Sequence, residues 1–93
     1  MYYRELQAAL EIFGLGERAS LQQLKERHRE LVKQFHPDSS QEEDPESIRK
    51  INAAYELLAA YCHDYRYCFS EEEFLEQVPE ERLRRQFDWD KSH

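Results

Sequence analysis

Glycine and proline are nearly missing from this chain, with 2 and 3 among 93 residues. That shortage argues against a fold of many tight turns and short strands. The abundance of Leu, Glu, Gln, Arg and Ala favours helix instead. Cysteine is also scarce, and Cys62 and Cys68 are the only two. Two cysteines without a secretory leader point to a reducing, cytoplasmic setting rather than a disulfide scaffold. The first residues, Met1-Tyr2-Tyr3-Arg4-Glu5, carry no apolar signal core, and no apolar run approaches the roughly 20 residues of a membrane span. Bases are outnumbered as well. Thirteen Lys and Arg against 20 Asp and Glu give a net charge of −7, which argues against a general affinity for nucleic acid or anionic membranes. With 40% apolar residues and 35% charged ones, the length allows one small domain whose core is a thin layer between helices.

What is present is helical periodicity. Between Tyr2 and Phe13, residues Leu6, Leu10 and Phe13 share one face, with Ala9 and Ile12 at its border. Gly14 and Gly16 bracket Leu15 and end this first helix, because glycine readily takes a left-handed C-cap conformation. Ser20 and Gln23 have the spacing of a capping box, and Ala19 with Leu24 that of a hydrophobic staple, so a second helix starts there. Its stripe is Leu21, Leu24, Leu31 and Phe35, with His28 in the gap, and Pro37 stops it. Residues 38–43 read as a polar loop. Asp44-Pro45-Glu46 then opens a third helix with the stripe Ile48, Ile51, Tyr55, Leu58 and Cys62. Two long helices with matched stripes and a short polar connection predict an antiparallel hairpin, closed on its open side by the first helix.

The expected fold class is therefore all-α, with a helical core over residues 1–63 and a C-terminal extension over 64–93 that packs on or trails from it. In the extension, Tyr65, Tyr67 and Phe69 alternate with Arg66 and Cys68, which predicts an extended segment laying its aromatics on the helices. Ser70 with Glu73 predicts a short helix to about Gln77, and Pro79 opens a last one carrying Leu83 and Phe87.

Charge is concentrated on the second helix. Over Leu21 to Phe35, four bases against two acids give +2, which leaves −9 for the rest of the chain. Lys25, Arg29 and Lys33 recur every four residues and form a basic ridge on a solvent face, suited to steering toward an acidic partner surface. His36-Pro37-Asp38 ends this helix. Pro37 stiffens the bend, so His36 and Asp38 project from a surface that loses little entropy on docking, and Asp38 offers a carboxylate to a partner's arginine. Taken alone, the tripeptide also fits a plain helix stop followed by a turn. Cys62, His63 and Cys68 miss the spacing of a metal site. No nucleophile accompanies His36 and Asp38, so neither an enzyme nor a cofactor is expected.

Four adjoining stretches resemble the J-domain (DnaJ-like) family. They are Leu10 to Leu15, the basic run Leu24 to Phe35, His36-Pro37-Asp38, and Ile48 to Leu58 with its Ala54-Tyr55-Glu56 core. Together they span roughly residues 9–61. The resemblance implies a co-chaperone that stimulates ATP hydrolysis by a DnaK-type chaperone and supplies no catalytic group itself. It also implies partner contacts at Lys25, His28, Arg29, His36, Pro37, Asp38, Ile48 and Arg49, to which the basic stripe adds Lys33. His28 stands where the family usually has tyrosine, and it reads equally well as a histidine at the edge of the core. Glu30 and Ser39-Ser40 depart from frequent basic and Arg/Lys-Asn positions, and Tyr61-Cys62-His63-Asp64-Tyr65 replaces the family's fourth-helix motif. These departures leave a second expectation open, an adaptor that holds a protein partner through its acidic aromatic tail. The partners expected are a DnaK-type ATPase and an unfolded or specific client, with no nucleic acid or membrane, and the chain is expected to be a monomer.

Overall fold

The computed structural model describes residues 1–35 and 44–91, with side chains as far as residue 87. Its elements are α1 (Tyr3–Phe13), α2 (Leu21–Phe35), α3 (Pro45–His63), α4 (Glu71–Gln77) and α5 (Pro79–Lys91), and the described residues contain no strand.

Local chemistry fixes most of these boundaries. Tyr2 is extended and caps α1 instead of joining it, and its N–H donates to Glu5 Oε2 at 3.3 Å. At the other end Gly14 adopts φ 65°, the left-handed turn expected of it. Its N–H donates to Glu11 O at 3.1 Å and that of Leu15 to Leu10 O at 3.3 Å, the paired bonds of a Schellman cap. The Ser20–Gln23 capping box forms in both directions, at 3.1 and 2.8 Å. Asp44 caps α3 by accepting from the Ser47 N–H at 3.2 Å and the Ser47 hydroxyl at 2.8 Å. Those bonds, led by the hydroxyl, hold the Asp44 carboxyl below its ordinary pKa, and Lys50 adds to the effect.

α3 is the central element, because both α1 and α2 pack mainly on it. The buried core is Ala9, Phe13, Leu24, Leu31, Ile51, Ala54 and Leu58. Leu6, Leu10, Phe35, Tyr55 and Cys62 are half-buried against it, as their spacing predicted. Three other positions differ from expectation. Leu21, in the first turn of α2, is 40% exposed. Ile48 is half-exposed and lies in a groove instead of the core. Ala9, expected only at a border, is buried, because small residues let α1 and α3 approach closely.

Beyond His63 the architecture changes. α4 and α5 pack on each other and, among the described residues, on no other helix. Ser70 Oγ caps α4 by accepting from the Glu73 N–H at 3.2 Å. Arg82 reaches Glu76 at 2.6 Å, and Arg85 pairs with Glu71. The radius of gyration is 19.1 Å, where a compact chain of this length would have about 12 Å. Tyr65, Tyr67 and Phe69 do not lie on the helices as expected. Only Tyr65 meets one, through Tyr61 at the end of α3, and the others continue the row in solvent.

Candidate functional site

The surface that the sequence singled out lies on α2 and the adjoining edge of α3. Leu24 and Leu31 anchor α2 in the core. At about 100° per residue, its other positions then have fixed places around the helix. Arg27 falls on the side facing α1, His28 and Val32 on the side facing α3, and Lys25, Arg29 and Lys33 on the outside.

Arg27 therefore stands apart from the basic ridge of Lys25, Arg29 and Lys33. Its Nε donates to the Phe13 carbonyl at 2.8 Å, which satisfies one of the orphan acceptors at the end of α1. Its Nη1 lies 3.1 Å from Glu30. The acid that departs from the family pattern is therefore engaged by Arg27. Lys25, Arg29 and Lys33 are exposed and have no ion-pair partner among the described residues.

His28 turns toward α3. Its ring stacks on Tyr55 with centroids 4.1 Å apart and planes 15° from parallel, and Phe13 lies 6.3 Å away on a parallel plane. Nε2 is 2.9 Å from Asn52 Oδ1, where an imidazole N–H donates to the amide oxygen. The side chain is half-buried, which places it at the edge of the core.

Next to it, Val32, Pro45, Ile48, Arg49, Asn52, Ala53 and Glu56 line a shallow, open groove between α2 and α3. Val32, Ile48 and Ala53 make its floor apolar, and Arg49 adds a base on the α3 side. Lys25 and Arg29 flank Val32 on α2, so the basic ridge borders this groove. The sequence placed the ridge and named Ile48 and Arg49. It did not identify Val32 or Ala53, which become neighbours only through the approach of the two helices.

His36, Pro37 and Asp38 lie outside the described residues, as do Ser39 and Ser40. The two ends of that connection are described. Asp44 N–H donates to the Phe35 carbonyl at 3.2 Å, so the chain leaves α2 and enters α3 at hydrogen-bonded points. Phe35 is half-buried on the core and Asp44 caps α3. Phe35 and Asp44, the described residues on either side of 36–43, are thus both held in place, and Pro45 next to Asp44 lines the groove.

Among the described residues no group of three His, Cys, Asp or Glu side chains is arranged to hold a metal ion, and Cys62 and Cys68 are free thiols. None of the described helices is long and apolar enough to cross a membrane.

Comparison with known proteins agrees with this geometry. The DnaJ domain family matches residues 8–63, ending where α3 ends. A "Chaperone protein DnaJ" of an Exiguobacterium species is 42% identical over 50 residues, 53% of this chain. Proteins of the same name from Bacillus mycoides and Bacillus cereus are 40% identical over 50 residues. The matched part is only 14% of the length of each of these relatives. No solved structure matches the chain. With well over half of its residues matched, and a helical hairpin carrying a basic outer ridge in the matched part, the chain belongs to the DnaJ domain family.

Proposed function

We propose that this protein is a co-chaperone that docks on a DnaK-type ATPase through α2 and His36-Pro37-Asp38 and stimulates its ATP hydrolysis. One observation carries the reading. Lys25, Arg29 and Lys33 form a basic ridge with no ion-pair partner among the described residues, on an otherwise acidic protein, and it borders an apolar groove lined by Pro45, next to the hydrogen-bonded Phe35 and Asp44. Such a surface suits an acidic partner with a small apolar contact. Charge steers the encounter and the groove contributes desolvated area. Ile48 and Arg49 supply contacts from α3, and His28 acts indirectly by holding α2 against Tyr55 and Asn52. The chain itself catalyses nothing and binds no nucleotide. Its effect is a bias on the partner, and each tenfold of stimulation corresponds to about 1.4 kcal/mol of barrier. Membership of the family supports the partner class, and the exposed ridge beside the groove supports this choice of site residues. In this reading residues 1–63 are the working unit, the chain acts as a cytoplasmic monomer, and residues 64–93 are an extension.

The test is single-turnover ATP hydrolysis by a DnaK-type chaperone. Wild type should accelerate it, and Asp38→Asn should not. Lys25→Glu with Arg29→Glu should raise the concentration needed for half-maximal stimulation by at least about tenfold, and wild-type stimulation should weaken as salt shortens the Debye length. No acceleration by wild type at high concentration would rule the proposal out.

A further inference from the structure

The ridge and groove leave one conspicuous surface unused. Tyr61, Tyr65, Tyr67 and Phe69 form a continuous row of rings, with successive centroids 5.8, 5.7 and 6.5 Å apart. Rings at positions i and i+2 can meet in this way only where the backbone is extended, with alternate side chains on one side. All of Tyr65 to Phe69 is exposed, and Phe69 is 92% exposed. The main chain there is open too. Among the described residues, the N–H and C=O groups of Arg66, Tyr67 and Phe69 have no hydrogen-bond partner.

We propose that Tyr65–Phe69 is a docking edge for an extended polypeptide segment, apolar at alternate positions and basic at its flanks. Three observations select this occupant. The ring repeat is close to the roughly 6.6–7 Å between same-face side chains of a strand, so a partner strand's alternate side chains fit against successive rings. An added strand would satisfy the open donors and acceptors while covering the aromatics, the usual basis of strand addition. Charge sets the flanks. Residues 64–76 hold Asp64, Glu71, Glu72, Glu73 and Glu76 against Arg66; Arg85 and Arg82 pair with Glu71 and Glu76, so Asp64, Glu72 and Glu73 are the acids that outweigh Arg66.

An aromatic row of this kind would also suit stacked bases of a single-stranded nucleic acid, but the same carboxylates repel phosphates. A second copy brings an identical acidic flank, so self-pairing sets like charges together. A lysine- or arginine-flanked segment has neither penalty. The edge follows the end of α3, whereas Pro45 and Ile48 of the groove lie at its start, and the 19 residues of that helix span about 28 Å. The proposal does not rest on docking of α2.

The test is selection of random displayed peptides of about nine residues, long enough for five paired positions and two flanks, on the immobilised full-length chain. The variant carrying Tyr67→Ser with Phe69→Ser serves for counter-selection. The enriched peptides should be apolar at alternate positions with lysine or arginine at the ends. A synthetic peptide of that pattern should bind wild type and lose at least about tenfold in affinity for the variant. Because both side chains are exposed, the variant's helical content and melting should be unchanged. Tyr67→Phe with Phe69→Tyr should keep the affinity. No enrichment, acidic flanks, absence of alternation, or equal binding by the serine variant would each overturn the proposal. It would also fall if wild type self-associated through these residues, or if a single-stranded oligonucleotide bound there more tightly than the peptide.

Discussion

The α1–α3 unit and the α4–α5 unit use the same kinds of residue to different ends. Both open helices with serine caps, at Ser20 and Ser70. Both carry Leu and Phe at helical spacing. Yet Phe13 is fully buried, whereas no residue of α4 is buried and Leu83 and Phe87 of α5 are mostly exposed. The difference shows that caps and propensity make a helix, while burial needs a facing surface. α3 presents Ile51, Ala54 and Leu58 to two neighbours, whereas among the described helices α4 and α5 have only each other. The first unit can hold a docking surface rigid, and the second keeps its aromatics available.

Substitutions sharpen this contrast in order of size. Phe13→Ala removes the only large side chain that is completely enclosed among the described residues and should cost about 3–5 kcal/mol, enough to unfold α1–α3. Denaturant titration followed by circular dichroism would measure it, and a loss below about 1 kcal/mol would mean that Phe13 is not the centre of the core. Gly14→Ala should cost about 1–2 kcal/mol for the left-handed backbone alone. A Cβ there meets only Arg27 Nη2 at 3.8 Å, so the cost is conformational and Gly14→Asn should be milder. Arg27→Met should cost about 1 kcal/mol through the lost bond to the Phe13 carbonyl, seen as faster amide exchange at the end of α1.

The Asp44 cap gives a pH-dependent test. Its folded-state pKa is depressed, so its contribution is complete above the ordinary carboxylate value and disappears as the pH falls through the lower folded value. The stability difference between wild type and Asp44→Ala should therefore close as the pH falls through that lower value. Last in size, Ser70→Ala should fray α4 without moving the melting of α1–α3, because among the described residues no helix contact joins the two units.

Much of this division was legible in the sequence, because caps are local. Ser20-Gln23, Gly14, Asp44-Pro45 and Ser70 marked helix ends that the structure places within a residue. The basic ridge was legible for the same reason, since a spacing of four is a property of one helix. What depended on two helices meeting was not. Ala9 and Ala54 are too small to mark a stripe, and their burial follows from close approach of α1 and α3. Arg27 counted only toward the charge of the second helix in the sequence, and its bond to the Phe13 carbonyl depends on α1 and α2 meeting. The alternating aromatics of the tail read as a buried face, but an alternation says which side chains share a side and not whether anything covers them.

The most direct test of the central claim is single-turnover ATP hydrolysis by a DnaK-type chaperone with three proteins side by side. These are wild type, Asp38→Asn, and Tyr67→Ser with Phe69→Ser. The account predicts acceleration by the first and third and none by the second. Acceleration that survives Asp38→Asn, or that is lost with the tail substitutions, would contradict it.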